Sequence, residues 1–246
     1  MKIAVLIGSP FNVFEKKTLK KLIERSLKTK IEKINSNKYF CSTKEKKFYF
    51  FPCYKPIKDR SYLSSKKYFL KEKGEKIPLP VKEALPLIKD IDLVLLFGTC
   101  GTINGKRNQV FLPTKFYSKR TNGTFIRKSF LEKFKLSKGI SNKNILTDLI
   151  KGQKCKLLTS NITFIPDCVE GKSLKYLDRF TKEINKKIDC IDMESYDIVK
   201  KFKDKVPIGV FLFSSDTIGK DSQMKFRLRD FQKNCVFILK KINKLK

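Results

Sequence analysis

The sequence predicts a single α/β domain built on a largely buried β-sheet, and three observations carry that expectation. Segments 2–8, 90–97 and 206–213 are apolar almost throughout, as strands covered on both faces are. Stretches with apolar residues at helical spacing alternate with them, the pattern of helices packed on a sheet. The chain has 246 residues, 41% hydrophobic with 21 Phe, enough for one sizeable core, and no internal repeat or linker asks for a second domain.

The chain opens β-turn-α. Residues 2–8 (KIAVLIG) read as a buried strand ending at Gly8-Ser9-Pro10, and 15–28 place Leu19, Leu22, Ile23 and Leu27 on one helical face. From about residue 30 to 88 the sequence is lysine-rich and insert-like; Lys47–Phe51 reads as a strand and Ile77-Pro78-Leu79-Pro80 as a connection. Residues 90–97 form an apolar strand leading into a glycine-rich turn, Gly98-Thr99-Cys100-Gly101-Thr102. Such a turn is a common place for small-molecule or anion contact.

Residues 106–145 alternate Lys/Arg with Phe and carry turn residues at Thr121-Asn122-Gly123. Strands are expected over 157–166 and 188–192, the second running into a helix from Met193 to Phe202. The apolar strand 206–213 ends in Ser214-Ser215-Asp216, and 223–244 places Phe226, Phe231, Val236, Leu239 and Ile242 near one helical face.

Composition narrows the chemistry. There is no histidine, which removes Ser-His-Asp and Cys-His triads, His-ligated metals and a histidine general base. Lys+Arg number 56 against 24 Asp+Glu, a formal +32. That field would attract nucleic acid or other polyanions. Only eight of the cations are arginine, the lysines are scattered, and no nucleic-acid-binding motif is visible. They read as a solvated surface, and nucleic acid is not the expected partner. Seven scattered cysteines without a C-x-x-C pair argue against a disulfide framework and point to a reducing cytoplasm. No stretch approaches the roughly 18 apolar residues of a spanning helix, so no membrane partner is expected.

Three strands end in polar or unusual residues: Gly98-Thr99-Cys100-Gly101, Asp192-Met193-Glu194-Ser195 and Ser214-Ser215-Asp216. Ligands of α/β sheets gather at strand ends, so these segments are expected to converge on one pocket. Glu194 opens a helix, whose N-terminus favours the anion and keeps it an acceptor. Asp216 follows an apolar run, where burial favours the protonated, donating form. An acceptor beside an acid suits cleavage of a bond whose leaving group needs a proton. Plainer roles are open too: Asp192 and Glu194 as helix-entrance acids, Ser215-Asp216 as a cap or turn.

Together these segments carry a family resemblance. Lys2–Gly8, Gly98-Thr99-Cys100-Gly101, Ser160-Asn161-Ile162-Thr163-Phe164-Ile165, Met193-Glu194-Ser195 and Ser215-Asp216 occur in the order found in the nucleoside phosphorylase and nucleosidase superfamily. The chain resembles that superfamily, which includes purine nucleoside phosphorylase, uridine phosphorylase and methylthioadenosine/S-adenosylhomocysteine nucleosidase. The resemblance implies one domain over 1–246, in three layers, with a central mixed sheet flanked by helices. It implies that Glu194 accepts hydrogen bonds from ribose hydroxyls and that Met193 packs on the sugar. Phe164 would stack on the base, the backbone of Ile165 would bond the base edge, and Asp216 would protonate the purine at N7. Gly98 and Ser215 fall on the substrate side. Thr99 is similar to the phosphate-contacting hydroxyl of the phosphorylases, and Gly8 to their first-strand turn. Arg229 resembles an arginine that assists the acid in one branch.

The nucleophile decides between hydrolysis and phosphorolysis. Phosphorylases of this type carry an arginine where this chain has Leu96. Nucleosidases carry a water-activating glutamate shortly after the first strand. Alignment on Gly8 puts Val13 there, and Glu15, two residues on, is the nearest carboxylate. Without histidine the chain cannot lend the residue that hexameric phosphorylases share between subunits. The expectation is hydrolysis of a purine nucleoside or thionucleoside. The alternatives are a phosphorolytic purine nucleoside phosphorylase, with phosphate as co-substrate, and a member without turnover that binds nucleosides or polyanions. No metal or cofactor is implied, and a homodimer or higher homo-oligomer is.

Overall fold

The computed structural model describes residues 1–8, 14, 18–35, 38–52, 90–103, 106–119, 136, 138–160, 179, 181–184, 187–192, 194–218 and 227–245, with the backbone alone at Asp216. In chain order the elements are β1 (Lys2–Gly8), α1 (Leu19–Leu27), β2 (Glu32–Asn35), β3 (Lys38–Ser42), β4 (Lys47–Pro52), β5 (Leu93–Thr102), β6 (Val110–Lys119), β7 (Ile140–Ser141), β8 (Gln153–Ser160), β9 (Cys190–Asp192), α2 (Ser195–Phe202), β10 (Ile208–Thr217) and α3 (Leu228–Lys244). A 3-10 turn at Ile145–Asp148 lies between β7 and β8.

β1 runs parallel to β4 on one side and β5 on the other. That central position explains its unbroken apolar run, since alternate side chains serve both faces. Ile3, Val5 and Ile7 join one core with Leu19, Ile23 and Leu27 of α1. The same core takes Phe231, Cys235, Ile238, Leu239 and Ile242 of α3. Ala4 and Leu6 join a second core, on the opposite face, with Ile198, Val199 and Phe202 of α2. The result is the three-layer α/β arrangement with a mixed sheet.

Beyond β4 the sheet continues antiparallel through β3 to the edge strand β2. The lysine-rich stretch from residue 30 therefore begins as part of the sheet, while 53–89 lie outside the described residues. Beyond β5 the sheet closes on itself. β5 pairs in parallel with β10 and antiparallel with β9, and β10, β6, β8 and β9 pair in succession to complete a five-strand ring.

That ring corrects two readings. Gly98–Thr102 and Ser214–Asp216 are not turns after strands but the continuation of β5 and β10, because partner strands satisfy their backbone groups there. α1 and α2 begin at Leu19 and Ser195, inside the expected limits. On α3 the buried stripe runs through Cys235 and Ile238 as well as Phe231, Leu239 and Ile242, while Val236 is only partly buried; Phe226 lies outside the described residues. The five described cysteines are buried and none of them is in a disulfide. Burial pushes the Cys41 thiol up to about 12, and those of Cys190 and Cys235 well above the usual range. Among the described residues no helix is long and apolar enough to cross a membrane.

Candidate active site

β1, β5 and β10 lie side by side, with Gly8 opposite Gly98 and Gly98 opposite Leu212. Glycine at 98 is a packing requirement. A β-carbon there would lie 2.9 Å from Leu212 Cδ2 and 3.2 Å from the Gly8 carbonyl oxygen, so a larger residue would force the buried Leu212 side chain to shift. One step along, half-buried Thr99 faces Phe213 in register, and Ser214 faces Cys100.

The register then shifts. Ser215 is the extra residue of a bulge, so that the backbone of Asp216 pairs opposite Gly101. Ser215 is 4% exposed, and its hydroxyl donates to the Cys100 carbonyl at 3.3 Å, tying the bulge to β5. Bulges re-aim a strand next to functional sites. From the other side, Gly101 pairs with Ile191 of β9. The three segments picked out in the sequence are thus neighbours, joined through β5.

Glu194 stands at the entrance of α2, buried at 6% exposure. Its carboxylate reaches Gly8: a β-carbon built on that glycine would lie 3.8 Å from Oε2 and 3.8 Å from Leu96 Cδ1. The end of β1, the apolar side chain of Leu96 and the acid of α2 therefore border one small space. Leu96 itself is buried and offers no charge there.

A second carboxylate holds this corner. Asp192 is 5% exposed. The Thr159 hydroxyl donates to its Oδ1 at 2.6 Å, the Ser195 amide donates to Oδ2 at 3.0 Å, and the Ser195 hydroxyl donates to the same Oδ2. Burial pushes the Asp192 carboxyl up to about 6 even though those donors and the Glu194 amide pull it down. From the sequence Thr159 has no assigned role, and Ser195 is quoted only as the last residue of the Met193-Glu194-Ser195 segment. The Asp-x-x-Ser spacing at a helix entrance is the one local sign of this arrangement.

Arg229 is exposed in the first turn of α3. Glu15, Phe164, Ile165 and Met193 lie outside the described residues, as does the side chain of Asp216. Among the described residues no group of three or more His, Cys, Asp or Glu is placed to hold a metal ion.

No protein-family model matches the sequence, and no curated protein matches it in sequence. Solved structures do match. The 5′-methylthioadenosine/S-adenosylhomocysteine nucleosidase of Campylobacter jejuni superposes with a TM-score of 0.62 at 18% identity, covering 100% of both chains. Futalosine hydrolase of Helicobacter pylori gives 0.62 at 14% identity, over 100% of this chain and 98% of that one. A Helicobacter pylori methylthioadenosine/S-adenosylhomocysteine nucleosidase gives 0.62 at 13%, over 100% and 99%. Identities this low speak for the backbone path alone, and by that path the chain shares the fold of these three proteins.

Proposed function

We propose that the chain is an N-ribosyl hydrolase, a nucleosidase that cleaves the N-glycosidic bond of a purine nucleoside or 5′-thionucleoside of the methylthioadenosine/S-adenosylhomocysteine type. The observation that carries this reading is the buried Glu194 carboxylate beside Gly8, at the junction of β1 and β5. A carboxylate held there is suited to accept hydrogen bonds from the ribose hydroxyls. Support for hydrolysis comes from buried, apolar Leu96 in the same corner, which gives phosphate no cation, and from structural neighbours that are themselves nucleosidases or hydrolases.

In this reading Met193 packs on the sugar, Phe164 stacks on the base, and the Ile165 backbone bonds its edge. Gly98, Thr99 and Ser215 shape the substrate side. Asp216 gives its proton to purine N7 as the C1′–N9 bond breaks. The bonding electrons leave with a neutral base, and the ribosyl centre becomes oxocarbenium-like. Water adds at C1′ and its proton passes to Glu15. No metal or cofactor enters the step. The same reading includes a homodimer or higher homo-oligomer and, with the described thiols buried and outside any disulfide, a reducing cytoplasmic setting.

Incubation with 5′-methylthioadenosine, with and without phosphate, tests this. Free 5-methylthioribose marks hydrolysis, the 1-phosphate marks phosphorolysis, and neither product rules out turnover of this substrate. Asp216→Asn is expected to lower base release by about 100- to 10,000-fold with an unchanged circular dichroism spectrum. Full activity in that variant would remove Asp216 as the acid.

A further inference from the structure

Asp192 is an expensive way to cap a helix. A neutral Asn or Ser would cap α2 without burying a charge. Yet the chain places a carboxylate at 5% exposure and surrounds it with donors from a neighbouring strand and a helix. With one oxygen accepting from Thr159 and the other from Ser195 twice over, the group is committed to partners inside the protein.

What it holds surrounds Glu194 in the chain. Asp192 lies two residues before Glu194, and Ser195, which it grips through both amide and hydroxyl, one residue after. The Thr159 hydroxyl that donates to Asp192 also accepts the Tyr196 amide at 2.9 Å. Thr159 and Asp192 are paired in register between β8 and β9. The turn carrying Glu194 is therefore pinned on both sides of that residue to a rigid sheet.

We propose that Asp192 is a positioning residue for Glu194, fixing the Asp192–Ser195 turn through Thr159 so that the Glu194 carboxylate stays over Gly8 and discriminates ligands by their ribose hydroxyls. This rests on the reading of Glu194 as the ribose anchor. A carboxylate that must meet hydroxyls of fixed geometry tolerates displacements of only about 0.5 Å, so loosening its turn costs those bonds first. Contacts to the base, made from other segments, are left as they were.

The test uses 7-deazaadenosine and its 2′-deoxy analogue, which lack the N7 that the proposed acid protonates and so report binding alone. Calorimetric titration of the wild-type chain is expected to show tighter binding of the ribo form, and Glu194→Ala is expected to erase that preference. Asp192→Asn and Thr159→Val are each expected to shrink it by about 10- to 100-fold while leaving the 2′-deoxy affinity within about twofold. Thr159→Val keeps the carboxylate and the side-chain shape, so the question stays answerable if Asp192→Asn folds poorly. Equal weakening of both ligands, or an unchanged preference, in folded variants would overturn the positioning role. A ribo preference that survives Glu194→Ala, or a wild-type chain that binds neither compound, would instead remove the ribose-anchor reading, and this inference with it.

Discussion

The Glu194 carboxylate lies over Gly8 closely enough that a single added methyl would touch it, at 3.8 Å from Oε2, without overlapping it. That distance separates packing from function at this glycine. A β-carbon at Gly8 makes ordinary contacts, whereas one at Gly98 would collide with Leu212 at 2.9 Å. Gly98 is required by the sheet. Gly8 is not, and in the proposed function the space it leaves beside Glu194 is where the nucleoside enters.

Gly8→Ala is therefore expected to fold with stability within about 1 kcal/mol of wild type, since alanine also restricts the unfolded chain. The methyl would occupy space beside Glu194 and lower nucleoside affinity about tenfold. A thermal melt paired with a 7-deazaadenosine titration checks both halves. Unchanged affinity would mean that the ligand does not enter this space. Gly98→Ala should show the opposite balance, a stability loss of about 1–3 kcal/mol from overpacking against Leu212.

Asp192 makes stability depend on pH with a defined sign. Its carboxyl is held at about 6 in the folded chain against an ordinary value of 3.8. Between these values the folded state binds a proton that the unfolded chain has released, so this group's contribution falls as pH rises from about 4 to about 6. The gap corresponds to roughly 3 kcal/mol. Asp192→Asn lacks the titration. Its stability relative to wild type is expected to climb across that window and level off above about pH 7, measured by urea unfolding at a series of pH values. A difference flat with pH would show that Asp192 titrates alike in both states. Loss of ribose discrimination together with no loss of stability at pH 7 would separate positioning from scaffolding.

How far the sequence goes can be read at individual residues. The apolar runs of β1, β5 and β10 announce buried strands because both faces of each are covered. Glu194 is legible because a helix entrance has local signs. The closed ring is not, since it depends on β9, three residues long, meeting β5 at Gly101 and Thr102 from a distant part of the chain. Gly98–Thr102 reads as a turn because glycine and threonine punctuate loops, and only pairing on both sides makes it strand. The Thr159–Asp192 bond joins residues 33 positions apart, and no local pattern encodes it.

Asn144 is a second long-range tie that composition hides. Its side-chain amide donates to the carbonyls of Pro113 and Val210 at 3.1 and 2.7 Å, and its oxygen accepts from the amides of Leu146 and Val210 at 3.2 and 3.1 Å. At 1% exposure this one residue links the bulged part of β6, the 3-10 turn and β10. Asn144→Ala leaves buried donors and acceptors unpaired and is expected to cost about 2–4 kcal/mol in urea unfolding. Asn144→Asp keeps the acceptor but loses two donations and buries a charge, so it should be no better.

Lys46 closes the fold at the far end of the sheet. It is 4% exposed, which is rare for lysine, and its ammonium donates to the carbonyl of Asn243 at 3.1 Å and to that of Leu245. Both carbonyls belong to the end of α3, where a cation also complements the helix dipole. The Thr43 hydroxyl adds a bond to the Asn243 side chain at 2.8 Å, so the turn between β3 and β4 grips a helix that shares one face of the sheet with α1. Glu45, 3.7 Å away and 70% exposed, contributes little because solvent screens it. Lys46→Met keeps the apolar stem and removes only the donors. It is expected to cost about 1–3 kcal/mol, with faster amide exchange confined to the last turn of α3. Glu45→Gln should change stability by less than about 0.5 kcal/mol. If the two substitutions cost the same, the helix end is held by surface charge and not by the buried ammonium.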